Sequence, residues 1–126
     1  MASNLTVYDI RPDIVSKLHE IKDIQAVKAA YPEQWNALPC AVYTCESKPA
    51  QKNKSSIEYL TNWKVQIELF SNKSGMADLA KEVQTSLSEL GFFDIQVKDA
   101  NIKGLQRKLI SASGVVDNRT LLVTKN

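Results

Sequence analysis

Ile57–Leu90, which reads IEYLTNWKVQIELFSNKSGMADLAKEVQTSLSEL, decides the fold of this chain. In its first half Ile57, Tyr59, Trp63, Val65, Ile67 and Leu69 share one parity, and Glu58, Asn62, Lys64, Gln66 and Glu68 take the other. Side chains on a strand alternate between faces, so this half predicts a strand with one dry face and one wet face. In the second half Met76, Leu79, Ala80, Val83, Leu87 and Leu90 recur at helical spacing, and Gly91 ends the stripe. A half-wet sheet whose dry face needs a helix to cover it belongs to the α+β class.

Upstream, Asp9 is the expected N-cap of a helix over Ile10–Glu20, with Pro12 in the first turn where its missing N–H does little harm. Ile10, Ile14, Leu18 and Ile21 form its apolar stripe. Ile24–Ala30, centred on Val27, reads as a short strand, broken by Tyr31-Pro32. Glu33–Leu38, with Trp35 inside it, reads as a loop ended by Pro39, because a residue before proline is pushed out of the helical region. Cys40–Glu46 has apolar or small residues on both parities and is expected to be a central, buried strand. Lys48–Ser56, KPAQKNKSS, lacks any large apolar residue and separates two strands, so it predicts the mobile tip of a long β-hairpin.

Downstream, Ser71 or Ser74 caps the second helix, and Asp78 suits the positive end of its dipole. Gly91 supplies the left-handed position after the helix. Phe92–Lys98 reads as a strand with Phe93, Ile95 and Val97 on one parity. Beyond a loop around Asn101–Gly104, Leu105–Val116 forms a strand, Asp117-Asn118 a turn, and Arg119–Thr124 a returning strand. The expected architecture is a single α+β domain over residues 1–126. It consists of a mixed, mainly antiparallel sheet of five to six strands packed with two helices.

Composition is that of an ordinary globular protein, with 44% hydrophobic and 24% charged residues in a chain of 126. A net charge of +2 is too small to argue for nucleic acid or an anionic membrane. No run approaches the length of a spanning helix, and Met1-Ala2-Ser3-Asn4 lacks the organisation of a signal peptide, so a cytosolic location is expected. Cys40 and Cys45 point to opposite faces of one strand and stand roughly 16 Å apart, beyond disulfide reach. They are expected to be reduced, structural thiols without a shared metal.

Catalytic patterns are lacking in the sequence. Ser71, Ser74, Ser111 and Ser113 have neither a glycine elbow nor a nearby histidine, and the single His19 sits between charged neighbours on a helix surface. Glycines 75, 91, 104 and 114 are too dispersed to cradle a phosphate. Asp9 with Asp13, and Glu82 with Glu89, fit capping and a solvated helix face better than paired acid–base chemistry. No cofactor and no enzymatic activity are expected.

Surface chemistry offers more. The basic tip Lys48, Lys52 and Lys54 reads as a solvated loop, as a protein contact, or as a weak, nonspecific phosphate contact. Lys103, Arg107 and Lys108 form a second basic cluster; Arg107 shares a parity with Leu105 and Leu109, which makes it an inward-pointing residue with a carboxylate partner or an edge gatekeeper. Leu60 and Phe70 are apolar on the otherwise polar face of the long strand. Trp35, between two prolines, plugs the core of its own chain or an interface.

The succession LPCAVYTCES, a polar tip, a long strand ending Leu69-Phe70-Ser71, a helix ending LGF and a strand RKLISASGVVD resembles a known family. It is similar to the tail-completion or tail-terminator proteins of long-tailed bacteriophages and defective prophages, also called tail-to-head joining proteins, over about Tyr8 to Val123. The resemblance implies a non-enzymatic virion protein with an α/β sandwich fold, whose copies form a ring, commonly sixfold, on the tail tube where the head docks. Implied partners are the chain itself, the major tail tube protein and the head–tail connector, with no membrane and no specific nucleic acid. The implied location is the host cytoplasm during assembly, then the head-proximal end of the tail. A closed ring needs a heterologous interface. Charge and topology suggest Lys48, Lys52, Lys54, Tyr59 and Leu60 on one side, Asp78, Glu82 and Glu89 on the other, and Trp35 as a further candidate. A head-side connector or stopper, and a small adaptor or nucleic-acid-binding module, are the alternatives.

Overall fold

Alternation along the long strand sets the architecture. In the computed structural model, which describes residues 7–52, 58–73, 75–119 and 122–124, the chain runs α1 (Arg11–His19), β1 (Ala26–Lys28), β2 (Cys40–Lys52), β3 (Glu58–Ser71), α2 (Ala77–Glu89), β4 (Phe93–Asp99), β5 (Gln106–Asp117) and β6 (Leu122–Thr124). The sheet has the order β1-β2-β3-β5-β4, with β6 also pairing β5. β1 lies parallel to β2 and every other pairing is antiparallel. The fold is α+β, built on this mixed sheet and two helices.

Both helices cover the same face. Ile10, Ile14 and Leu18 from the α1 segment and Leu79, Val83 and Leu87 from α2 join Trp63, Val65, Ile67 and Leu69 of β3 in one buried cluster with Ile110, Ala112 and Val116 of β5. Each large aliphatic side chain hidden this way stabilises the fold by roughly 2 kcal/mol. α2 ends as its glycine requires. Gly91 takes φ 101, its N–H donates to the Ser88 carbonyl at 2.9 Å, and the Phe92 N–H donates to Leu87 at 3.0 Å. That pair of bonds satisfies carbonyls the helix cannot.

The helix starts differ from expectation. Asp9 is not the cap of α1: Ile10 holds that position without a side-chain bond, and the Asp9 carboxylate accepts from the backbone N–H and the guanidinium of Arg11. Met76 likewise begins α2 uncapped, while Ser71 Oγ accepts from the Lys73 N–H and closes the preceding turn. Ser74 lies outside the described residues.

Three strand expectations also need correction. β2 continues through Pro49 to Lys52 into the segment read as a tip, because β3 is long enough to pair with it. Register shifts between Pro49 and Gln51 and between Gln51 and Lys52 absorb the irregularity. Nor is β2 central throughout: β1 pairs only with Cys40, Ala41 and Val42, so among the described residues β2 is an edge beyond them, and Thr44 and Glu46 are exposed. In β4, Phe93 pairs with Ser113 and Gln96 with Ser111, three steps against two. The extra residue is a bulge at Asp94, whose φ is 52, and it turns Phe93 to the face opposite Ile95 and Val97.

Candidate functional site

The sheet face away from the helices is polar over much of its width. Thr44, Lys64, Gln66, Asp94, Gln96 and Ser111 line a polar groove of about 500 Å³ across β2, β3, β5 and β4. Cross-strand partners share a face, so Thr44 opposite Gln66 and Gln66 opposite Ser111 carry this polar row across three strands. The row is the wet parity expected of β3.

At one end that parity turns dry. Cys40, Val42 and Phe70 form a second buried cluster, with Trp35, Leu38 and Leu105 packed against it. The loop between β1 and β2 folds over the sheet there. The Trp35 ring lies 4.3 Å from Phe70 centre to centre, and Tyr31 meets Phe70 edge-on at 5.8 Å. Trp35 therefore plugs its own chain and is half-buried.

Beneath this aromatic cover sits the only acidic side chain buried among the described residues. Glu68, expected to be wet, is 4% exposed. Arg107 Nη2 reaches it at 2.7 Å, and the Tyr31 hydroxyl donates to its carboxylate at 2.9 Å. The inward reading of Arg107 is thus correct. Arg107 also lies over the Phe70 ring at 5.9 Å, with its Nε buried and lacking a hydrogen-bond partner. The bond to the carboxylate holds the Tyr31 phenol above its ordinary value, with burial adding to the effect. The arrangement neutralises a buried charge and fixes a loop; it presents no nucleophile or base to a ligand.

The remaining candidates are dispersed. Lys48 is exposed on the open face of β2 opposite Asn62, and Leu60 is half-buried opposite Asp117. Lys54 and the side chains of Lys52 and Tyr59 lie outside the described residues. Asp78, Glu82 and Glu89 are exposed on α2. Glu89, however, accepts from Lys17 of α1 at 2.9 Å, so it clasps the two helices and is not a free counter-charge. Asp78 flanks a groove with Ser71 and Lys73, at the opposite end of β3 from Asn62 and Lys48. Among the described residues Lys48 meets none of the three acidic candidates.

Cys40 and Cys45 are free thiols on opposite faces, one in each cluster. Burial raises the Cys45 thiol to about 11 and raises Cys40 as well. Among the described residues no group of three His, Cys, Asp or Glu side chains could hold a metal, and no helix is long and apolar enough to cross a membrane.

One polar contact escaped sequence reading altogether. Asn118, 3% exposed, accepts from the Tyr8 N–H and donates to Thr61 Oγ1, both at 2.9 Å. It ties the start of the described chain to the middle of the sheet. Its neighbour Asp117 marks a turn in the sequence, but no pattern there announces a buried amide. No protein-family model matches the chain, and no curated protein matches it.

Proposed function

We propose that this chain is a virion structural protein of the tail-terminator type. It caps the tail tube as a ring of copies, ends tube polymerisation and joins the tail to the head connector. The observation that carries the reading is the one-sided fold. Two helices seal one sheet face, the other face is polar and open except where the Tyr31–Trp35 loop covers one end, and the two longest strands form a hairpin whose outer edge past Val42 has no partner strand among the described residues. Such a molecule is built to be completed by neighbours. The order of elements, which resembles that of tail-completion proteins, supports the same reading. Its mechanism is association: apolar burial supplies affinity, and exposed charges such as Lys48 and Asp78 set orientation and encounter rate.

The test is to add purified protein to polymerising tail tube protein and measure tube length. Short, capped tubes that copurify with the protein are expected. A variant in which residues 48–56 are replaced by a short turn should fold and fail to cap. Unrestricted growth with the intact protein, or copurification with filled heads in place of tails, overturns the reading.

A further inference from the structure

A row of cross-strand partners crosses the open face beside the aromatic cover. Lys28 of β1 stands opposite Val42, Val42 opposite Glu68, Glu68 opposite Leu109, and Leu109 opposite Lys98 of β4. Partners share a face, and Val42 lies in the second cluster, so all five side chains point away from the helices. The acid at the centre is bonded to Arg107 and Tyr31. Lys28 and Lys98 at the margins are exposed and take part in no ion pair among the described residues. Lys103, in the turn between β4 and β5, is exposed and equally unpaired there. Glu33 is the one acid of the covering loop, and positive charge stays in excess.

The surface between the two margins is apolar. Tyr31 stands on Glu68 and is 59% exposed, and Leu109 is half-buried and belongs to neither buried cluster. Ile102, 41% exposed, follows in the β4–β5 turn, where its backbone bonds pair it with Leu105, a residue packed on the second cluster. The Tyr31 ring is held: its hydroxyl is bonded to Glu68 and it meets Phe70 edge-on. An exposed aromatic that is already fixed needs little further ordering when a partner packs on it.

We propose that this end of the open face docks an acidic segment of another protein, one with an aromatic or aliphatic residue set between carboxylates. Four strand spacings separate Lys28 from Lys98, roughly 19 Å, which an extended segment of about six residues spans. Its apolar residue packs on Tyr31 and Leu109 while its carboxylates reach the lysines. A second copy does not supply such a segment from α2. Lys81 lies among Asp78 and Glu82 there, and α2 exposes no large apolar side chain among the described residues. An anionic membrane is a poorer match, since three lysines in a chain of net charge +2 attract it weakly. The contact uses neither the hairpin tip nor the outer edge of β2, and it does not rest on the capping of a tube.

Fluorescence anisotropy with the full chain tests this. The probe is a labelled peptide of about seven residues, with phenylalanine and leucine at its centre and glutamates at both ends. Binding is expected at submillimolar protein. Replacing the glutamates by glutamine, or the central pair by serine, should each weaken it about tenfold. Lys28→Glu combined with Lys98→Glu should weaken it as much, whereas Lys64→Glu, exposed on the same face outside the row, should leave it unchanged. All three positions are exposed, and circular dichroism verifies that the variants fold. The proposal is overturned by an absence of binding, by a glutamine peptide that binds as well, or by charge-reversed protein that binds unchanged. A loss just as large with Lys64→Glu, or tighter retention on anionic lipid vesicles than on the peptide, overturns it too. So does a dimer of the chain that shuts the peptide out, which would assign this face to a second copy.

Discussion

Arg107 Nη2 stands 2.7 Å from Glu68 Oε2, diagonally across β3 and β5 on the sheet face opposite the helices. The pair carries a carboxylate that the strand's alternation assigns to water, and the Tyr31–Trp35 loop closes over it. Replacing one member strands the other in a poorly solvated place. Arg107→Met should therefore cost about 3 kcal/mol in urea unfolding, and adding Glu68→Leu should recover much of it. Equal losses in the single and double variants would show that the pair contributes nothing beyond its packing.

Tyr31→Phe removes the phenol that donates to Glu68. A loss of about 1 kcal/mol is expected at neutral pH. The folded phenol titrates above its ordinary 10.0, so its contribution is complete below that value and is lost as pH rises through the raised one. The stability gap between wild type and variant should thus be flat up to mild alkali and shrink above it. A gap that grows with pH would contradict the assigned bond.

Cys45 offers a second pH readout. Burial lifts its thiol from 9.0 to about 11, so iodoacetamide should label it slowly at neutral pH, and thiolate absorbance should appear near the higher value. The stability attached to the protonated thiol is present below 9.0 and disappears as pH passes through about 11. Rapid labelling of the native protein at pH 7 would show that this side of β2 is more open than the packing implies.

Gly91→Ala isolates the end of α2. At φ 101 a Cβ is strained, and the expected loss is about 1–2 kcal/mol with unchanged helix content. A neutral result would mean that the chain turns equally well by another route.

Much of this fold is legible from periodicity, because a side chain's face follows from its position. Trp63, Val65, Ile67 and Leu69, and Leu79, Val83 and Leu87, all lie where their spacing puts them. Glu68 shows where the rule stops: parity says which face a residue takes, and only a loop more than thirty residues away in sequence makes that face dry. Phe93 shows a second limit, since one bulged residue at Asp94 reverses the parity of everything before it. Arg107 is legible only in part: its parity with Leu105 and Leu109 fits an inward residue with a carboxylate partner and an edge gatekeeper equally, and the contact with Glu68 decides for the first. The expected interface was less legible. Charges such as Glu89 look free in sequence, but helix packing spends this one on Lys17 within the chain. An unpaired strand edge becomes visible only once β1 is seen to stop opposite Val42.

Electron microscopy of particles assembled without this protein tests the central claim most directly. Overlong tubes without heads, returned to uniform length and joined to heads when the chain is supplied, are the predicted result. Tails of normal length already attached to heads in its absence would contradict the account.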